Sequence, residues 1–186
     1  MTMDEFIQDA IRRMDKSIEA THEQFNSVRT GRASAALLDR IQVDYYGTPT
    51  PLKNLASISV PDPRTLAIQP FDPGSIKGIE KAIQESDLGI QPSNDGKLVR
   101  LAIPQLTEER RKELVKLVRQ IAEDGRVAVR NIRRDAIHHM KELSGKGQVG
   151  KDEERRAEER VQKLTEKHTS TIDELLKHKE QEIMEV

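Results

Sequence analysis

The 186-residue chain has no cysteine, no tryptophan, two tyrosines and three phenylalanines. Without cysteine there is no disulfide and no thiolate metal site, and the composition suits a reducing cytoplasm. No apolar run reaches the roughly 18 residues that a membrane-spanning helix needs. The segment from Met1 to Arg13 mixes acids with arginines and lacks an apolar centre, so it does not read as a secretion signal. The glycine loops that cradle nucleotide phosphates, the paired histidines of zinc peptidases and the nucleophile elbow of serine hydrolases are all missing. His138 and His139 are adjacent and diverge by about 100° on a helix, a poor metal geometry. His168 and His178 stand ten apart, and His168 falls on an apolar seam where a packed histidine is expected. The expectation is a binding protein with no cofactor and no enzymatic activity.

What the chain has is charge. Asp, Glu, Lys and Arg make up 34% of it, against 3% aromatics, a balance typical of long, surface-rich helices. The net charge of −1 is unevenly spread. Residues 1–30 carry 4 basic and 6 acidic side chains, 31–104 carry 8 and 8, 105–145 carry 10 and 7, and 146–186 carry 9 and 11. Positive charge therefore gathers in the third segment, which favours directed binding over general coating of nucleic acid.

Three stretches have helical periodicity. Thr2 and Glu5 have capping-box spacing, and Ile7, Ile11, Met14, Ile18, Thr21, Phe25 and Val28 follow in a 4-3-4-3 rhythm that ends near Gly31. A second rod runs from Leu106-Thr107-Glu108-Glu109, with Thr107 as N-cap, to about Leu143; Gly145, Gly147 and Gly150 break it. A third starts near Asp152 and reaches about Ile183, with Ala157, Val161, Leu164, His168, Ile172, Leu175 and Leu176 inward. No rod can shield its apolar stripe alone, so the three are expected to form a bundle.

Residues 31–104 have another texture. Seven of the eight prolines lie between Pro49 and Pro92. Alternation around Val43, Ile58, Leu66 and Leu101 reads as short strands, while Ile76, Ile79 and Ile83 are spaced as a helix. The fold class is therefore α+β: a long three-helix bundle from 1–30 and 105–186 with a small β/α/β domain, 31–104, inserted in it. Thr30-Gly31 and Pro104-Gln105 mark the two crossings and are expected to be hinges.

The stretch from Arg126 to Asp135 places four arginines in nine residues with no acid between Arg126 and Arg134. Leu114, Val118, Ile121, Ala128 and Ile132 form the expected inward face. Lys112, Lys116, Arg119, Arg126, Arg130 and Arg133 repeat the same intervals two residues out of step, about 200° around the helix. A solvated charged face is the ordinary meaning of such a stripe. Against it stand the preference for arginine, whose fork fits phosphate, and the repulsion of Arg126 with Arg130 and of Arg130 with Arg134 unless an anion offsets it. The stripe is expected to bind RNA. A coiled-coil-like adaptor that binds acidic protein partners is the alternative.

Eight stretches carry a resemblance: RTGRAS at 29–34, YYGTPTPL at 45–52, RTL at 64–66, EKAI at 80–83, SDLG at 86–89, LTEERRKEL at 106–114, VAVRNIRRDA at 127–136 and GKDEERRAEERVQKLT at 150–165. In this order the chain resembles the bacterial ribosome recycling factors over essentially its whole length, with Ala35 where that family often has proline. The resemblance implies an L-shaped, two-domain, monomeric cytoplasmic factor. With elongation factor G and GTP such a factor splits the post-termination ribosome into subunits, releasing mRNA and deacylated tRNA. It also implies contact with large-subunit ribosomal RNA, the family's arginines matching Arg29, Arg32, Arg110, Arg130 and Arg133. Arg126 is chosen on charge pattern alone.

Overall fold

The computed structural model describes residues 1–185, and the chain divides into two compact units. One comprises Met1–Arg29 with Glu108–Glu185 and is wholly helical; the other, Thr30–Thr107, is α+β.

The helical unit contains α1 (Met3–Ser27), α3 (Glu108–Gly145) and α4 (Lys151–Met184), each packed on both others. The Thr2 hydroxyl accepts the Glu5 N–H at 3.2 Å, and the Glu5 carboxylate accepts the Thr2 N–H at 2.7 Å, so the capping box is closed on both sides. α1 ends at Ser27, a turn before Gly31. α3 spans 38 residues, about 57 Å of rod. It ends in a Schellman motif: Gln148 N–H reaches the Leu143 carbonyl, Gly147 N–H reaches that of Ser144, and Gly147 has φ +70°. Asp152, Glu153 and Glu154 then oppose the positive dipole end of α4.

The apolar seams are close to those expected, with one correction. On α3 the buried residues are Leu114, Val118, Ile121, Ala122, Gly125, Val129, Ile132, Ala136 and Met140. Ala128 is only half-buried and Val129 takes its place. Val129 continues the buried series one turn after Gly125, whose missing side chain lets Thr21 of α1 and Ile172 of α4 come close to the α3 backbone. On α4, Leu164, Leu175 and Leu176 are half-buried, while Thr165 is buried beside Val161 and His168. His168 is a packed histidine: its Nδ1 meets the Leu164 carbonyl at 2.6 Å and its Nε2 meets Asp15 of α1 at 2.8 Å.

The α+β unit has strands β1 (Gln42–Tyr45), β2 (Thr48–Pro51), β3 (Ala56–Asp62), β4 (Thr65–Pro70), β5 (Pro92–Asn94) and β6 (Val99–Ala102), with helix α2 (Ile76–Gln84) between β4 and β5. β1 and β2 form an antiparallel hairpin; the other four form an antiparallel sheet in the order β3-β4-β6-β5. Leu66, Ile68, Val99 and Leu101 pack beneath Ile76, Ile79 and Ile83 of α2. β2 and β5 carry prolines and are not among the strands expected from alternation around Val43, Ile58, Leu66 and Leu101. Both are edge strands, where a missing N–H leaves no ladder bond unmade.

Both connecting segments enter this unit at the β3–β4 turn. Ala33 N–H donates to the Pro63 carbonyl and Ile103 N–H to that of Arg64, each at 2.7 Å. Gly31 has φ +75°, and a Cβ there would stand 2.7 Å from Leu106 Cγ, so the backbone and the neighbour both require glycine. Among the described residues no helix is long and apolar enough to cross a membrane.

Candidate nucleic-acid interface

The basic stretch of α3 is not an unbroken cationic surface. Arg126, with 20% of its side chain exposed, donates from Nε to Asp173 of α4 at 2.8 Å and from Nη1 to Glu123 at 3.0 Å. Lost hydration acts to lower its pKa, but the bonds to Asp173 and Glu123 outweigh that and hold the guanidinium above its ordinary value. The place expected to offer Arg126 to phosphate is therefore a helix–helix ion pair. The free stripe is corrected accordingly: two anions already supply the offset that like charges at i,i+4 require.

Arg130 is 46% exposed and touches Glu123 at 3.4 Å, a long bond that leaves most of its fork open. Arg133, one turn on, is half-buried, and its Nε is buried without a hydrogen-bond partner. Arg134 is exposed. Among the described residues neither Arg133 nor Arg134 forms an ion pair; Asp135, one and two residues on, does not share their face of the helix and pairs with Arg13 of α1 at 3.0 Å. The cationic part of α3 is therefore Arg130, Arg133 and Arg134. Arg134 joins Arg130 by its i,i+4 spacing, a signal present in the sequence; the pairing of Arg126 with Asp173, 47 residues away, is not.

The other sequence-selected residues lie apart. Arg110 is exposed near the start of α3 and donates to Glu113 at 2.9 Å. Arg29 is exposed at the end of its segment of the helical unit, and Arg32 is exposed in the α+β unit. Thr30, Gly31, Pro104 and Gln105 belong to the α+β unit and lie outside its helices and strands. Arg119 is held by Glu180 of α4 at 2.7 Å, a second cation of the stripe used in packing.

A helical bundle that pairs part of its arginine stripe with carboxylates and leaves Arg133 and Arg134 without an ion pair among the described residues, with an α+β unit inserted in the chain, has the makeup of a binding protein. Comparison with known proteins makes the class specific. Residues 21–184 match the family model described as Ribosome recycling factor. The chain is 56% identical over 180 residues to the ribosome-recycling factor of Rubrobacter xylanophilus, covering 97% of each chain. It is 58% identical to that of Thermosynechococcus vestitus, covering 97% of this chain and 99% of the other. A solution structure of the ribosome recycling factor superposes with a TM-score of 0.75 at 42% identity, over 100% of this chain and 99% of that one. The Thermus thermophilus ribosome recycling factor, in a structure described as that factor and Escherichia coli elongation factor G bound to the post-termination complex, matches with a TM-score of 0.65 at 47% identity, over the full length of both chains. The chain belongs to the ribosome recycling factor family.

Proposed function

We propose that this chain splits post-termination ribosomes in the cytoplasm, acting with elongation factor G and GTP and releasing mRNA and deacylated tRNA. Its helical unit holds large-subunit ribosomal RNA through Arg130 and Arg133, with Arg29 and Arg110 of the same unit and Arg32 of the α+β unit as further contacts. The inserted domain, 31–104, serves as a lever that turns on Thr30-Gly31 and Pro104-Gln105. The chain itself acts as a monomeric binding factor rather than an enzyme, and the energy comes from its partner's GTP hydrolysis.

The observation that supports the clamp most is the contrast along α3. Arg119 and Arg126 are held by α4 carboxylates, whereas Arg133 forms no ion pair among the described residues. Guanidinium groups left unpaired in this way suit phosphate, and their affinity would fall with salt through counterion release. Folded RNA would be met through its shape and backbone rather than its base sequence. The neighbour bound with elongation factor G to a post-termination complex supports the partner assignment.

The test is a splitting assay with purified post-termination ribosomes, elongation factor G and GTP. Added protein should convert ribosomes to subunits in sedimentation profiles. Ribosomes that stay intact at saturating protein would overturn the proposal.

A further inference from the structure

Three of the chain's five aromatic residues, Tyr45, Tyr46 and Phe71, fall in the α+β unit; both tyrosines reach the carboxylate of Asp72, which Phe71 precedes in the chain. Tyr45 pairs with Thr48, so the β1–β2 connection is the two-residue turn Tyr46-Gly47. Both turn residues have positive φ, +51° and +82°, the pattern of a type I′ turn in which asparagine then glycine is the favoured pair. Tyrosine at the first position is disfavoured by its backbone. Its ring is also 84% exposed, and that of Phe71 is 70% exposed. Neither burial nor backbone preference accounts for Tyr46, and backbone outliers of this kind concentrate at functional sites.

The cluster is held in place. The Tyr45 and Tyr46 rings meet edge to face with centroids 4.5 Å apart. Both hydroxyls donate to Asp72 Oδ2, at 3.4 and 3.5 Å, and Gly74 N–H occupies Oδ1 at 2.9 Å. The negative charge of Asp72 therefore sits beside the two tyrosine rings, with exposed Phe71 the residue before it.

We propose that Tyr46 and Asp72, with the exposed Phe71 next in the chain, form a docking surface for a protein segment that presents an arginine or lysine. The face of an aromatic ring attracts a cation, and Asp72 supplies the opposite charge. RNA is the less suitable occupant: Asp72 repels phosphate, and residues 31–104 carry 8 basic and 8 acidic side chains, so the domain has no net attraction for a polyanion. Exposed rigid aromatics are the usual anchors of protein interfaces. The inference rests on the proposed function, because the partner is one met on the ribosome during splitting.

The experiment uses the full chain, purified post-termination ribosomes, elongation factor G and GTP. Tyr46→Asn keeps the turn and removes the ring, so its melting temperature should equal or exceed that of the wild type. Its splitting rate should fall about tenfold, the loss of one interfacial anchor, while affinity for isolated large subunits stays within about twofold. A photoreactive phenylalanine analogue in place of Tyr46 should crosslink to a protein peptide containing arginine or lysine. Crosslinks to ribosomal RNA alone overturn the proposal. So does a Tyr46→Asn protein that splits as fast as an active wild type, a result that leaves the proposed function standing. A wild type that fails to split ribosomes overturns both.

Discussion

Gly125 of α3 faces Thr21 of α1 so closely that a Cβ on the glycine would lie 2.5 Å from the Thr21 hydroxyl and 3.2 Å from Ile172 Cδ1 of α4. All three helices converge on this one missing side chain. Thr21 cannot easily turn away, because its hydroxyl donates to the Ser17 carbonyl at 2.9 Å. In an open helix position alanine would be favoured over glycine by about 1 kcal/mol. Here the sign should reverse: Gly125→Ala is expected to cost about 1–3 kcal/mol through overpacking. Thermal melts should show the loss, and adding Thr21→Ala should recover much of it. A single mutant more stable than the wild type would contradict the packing described.

Glu123 holds Arg126 at 3.0 Å and Arg130 at 3.4 Å, so one carboxylate occupies part of the fork that phosphate would use. Removing its charge should free Arg130, while Arg126 stays on Asp173. Glu123→Gln is therefore expected to tighten binding to large subunits up to about fivefold, the range of an exposed ion pair. Stability should change little for the same reason. Unaltered affinity at low salt would remove Glu123 as a competitor of phosphate.

Arg133 has no carboxylate to lose, so Arg133→Ala should act on binding more than on folding. Its melting temperature is expected to stay close to wild type, while large-subunit affinity falls and the slope of log affinity against log salt decreases by about one. Arg126→Ala should behave in the opposite way, losing stability with its Asp173 and Glu123 bonds and changing the salt slope little. If the two variants exchange these phenotypes, the division of the stripe is wrong.

The contrast between Arg126 and Arg133 marks where sequence reading stops. The three rods were legible because burying one face of a long helix imposes a period that survives without coordinates. Glu123 was also legible, three residues before Arg126. Asp173 was not, because its approach depends on how α3 and α4 are rotated against each other. The same limit applies to Ala128 and Val129 at the seam: a period places the apolar arc to within a residue, and the rotation of the helix against its neighbours decides which of the two is buried. β2 was hidden because Thr48-Pro49-Thr50-Pro51 shows no apolar alternation, and its pairing with β1 follows from the tight turn between them.

Asp95 makes a pH prediction. Its carboxylate accepts the Leu98 N–H at 2.8 Å and the Lys97 N–H at 2.9 Å, with Arg100 3.7 Å away. The Leu98 bond first, and the Lys97 bond after it, hold its pKa below the ordinary carboxylate value. A depressed folded-state pKa contributes stability that is complete above the unfolded value, about 3.9, and is lost as pH falls through the folded one. The β5–β6 turn should therefore be insensitive to pH around neutrality and loosen only in acid. The Leu98 and Lys97 amide NMR shifts should report a titration with its midpoint below 3.9, the approximate ordinary Asp value. A midpoint at or above that value would show that the two amide bonds do not hold the carboxylate, and Asp95→Ala should abolish the transition.

Gly31 joins backbone geometry to the proposed lever. Two separate costs oppose any side chain there: the left-handed backbone at φ +75°, and the 2.7 Å approach of a Cβ to Leu106 Cγ. The first is worth about 1–2 kcal/mol for an L-residue. The second depends on whether Leu106, which is half-buried, can move aside. Gly31→Ala should therefore destabilise the α+β unit, and Leu106→Ala added to it should recover only the contact part, leaving the backbone part. Complete recovery in the double mutant would show that φ contributes nothing. Since Gly31 is no RNA contact in the proposed clamp, large-subunit binding by Gly31→Ala should stay near wild type at temperatures where both units are folded. Under the proposed lever, splitting should slow, because a side chain at that crossing would restrict the turning assigned to it. Splitting at the wild-type rate, with the destabilisation present, would separate the glycine's role in folding from any role as a hinge.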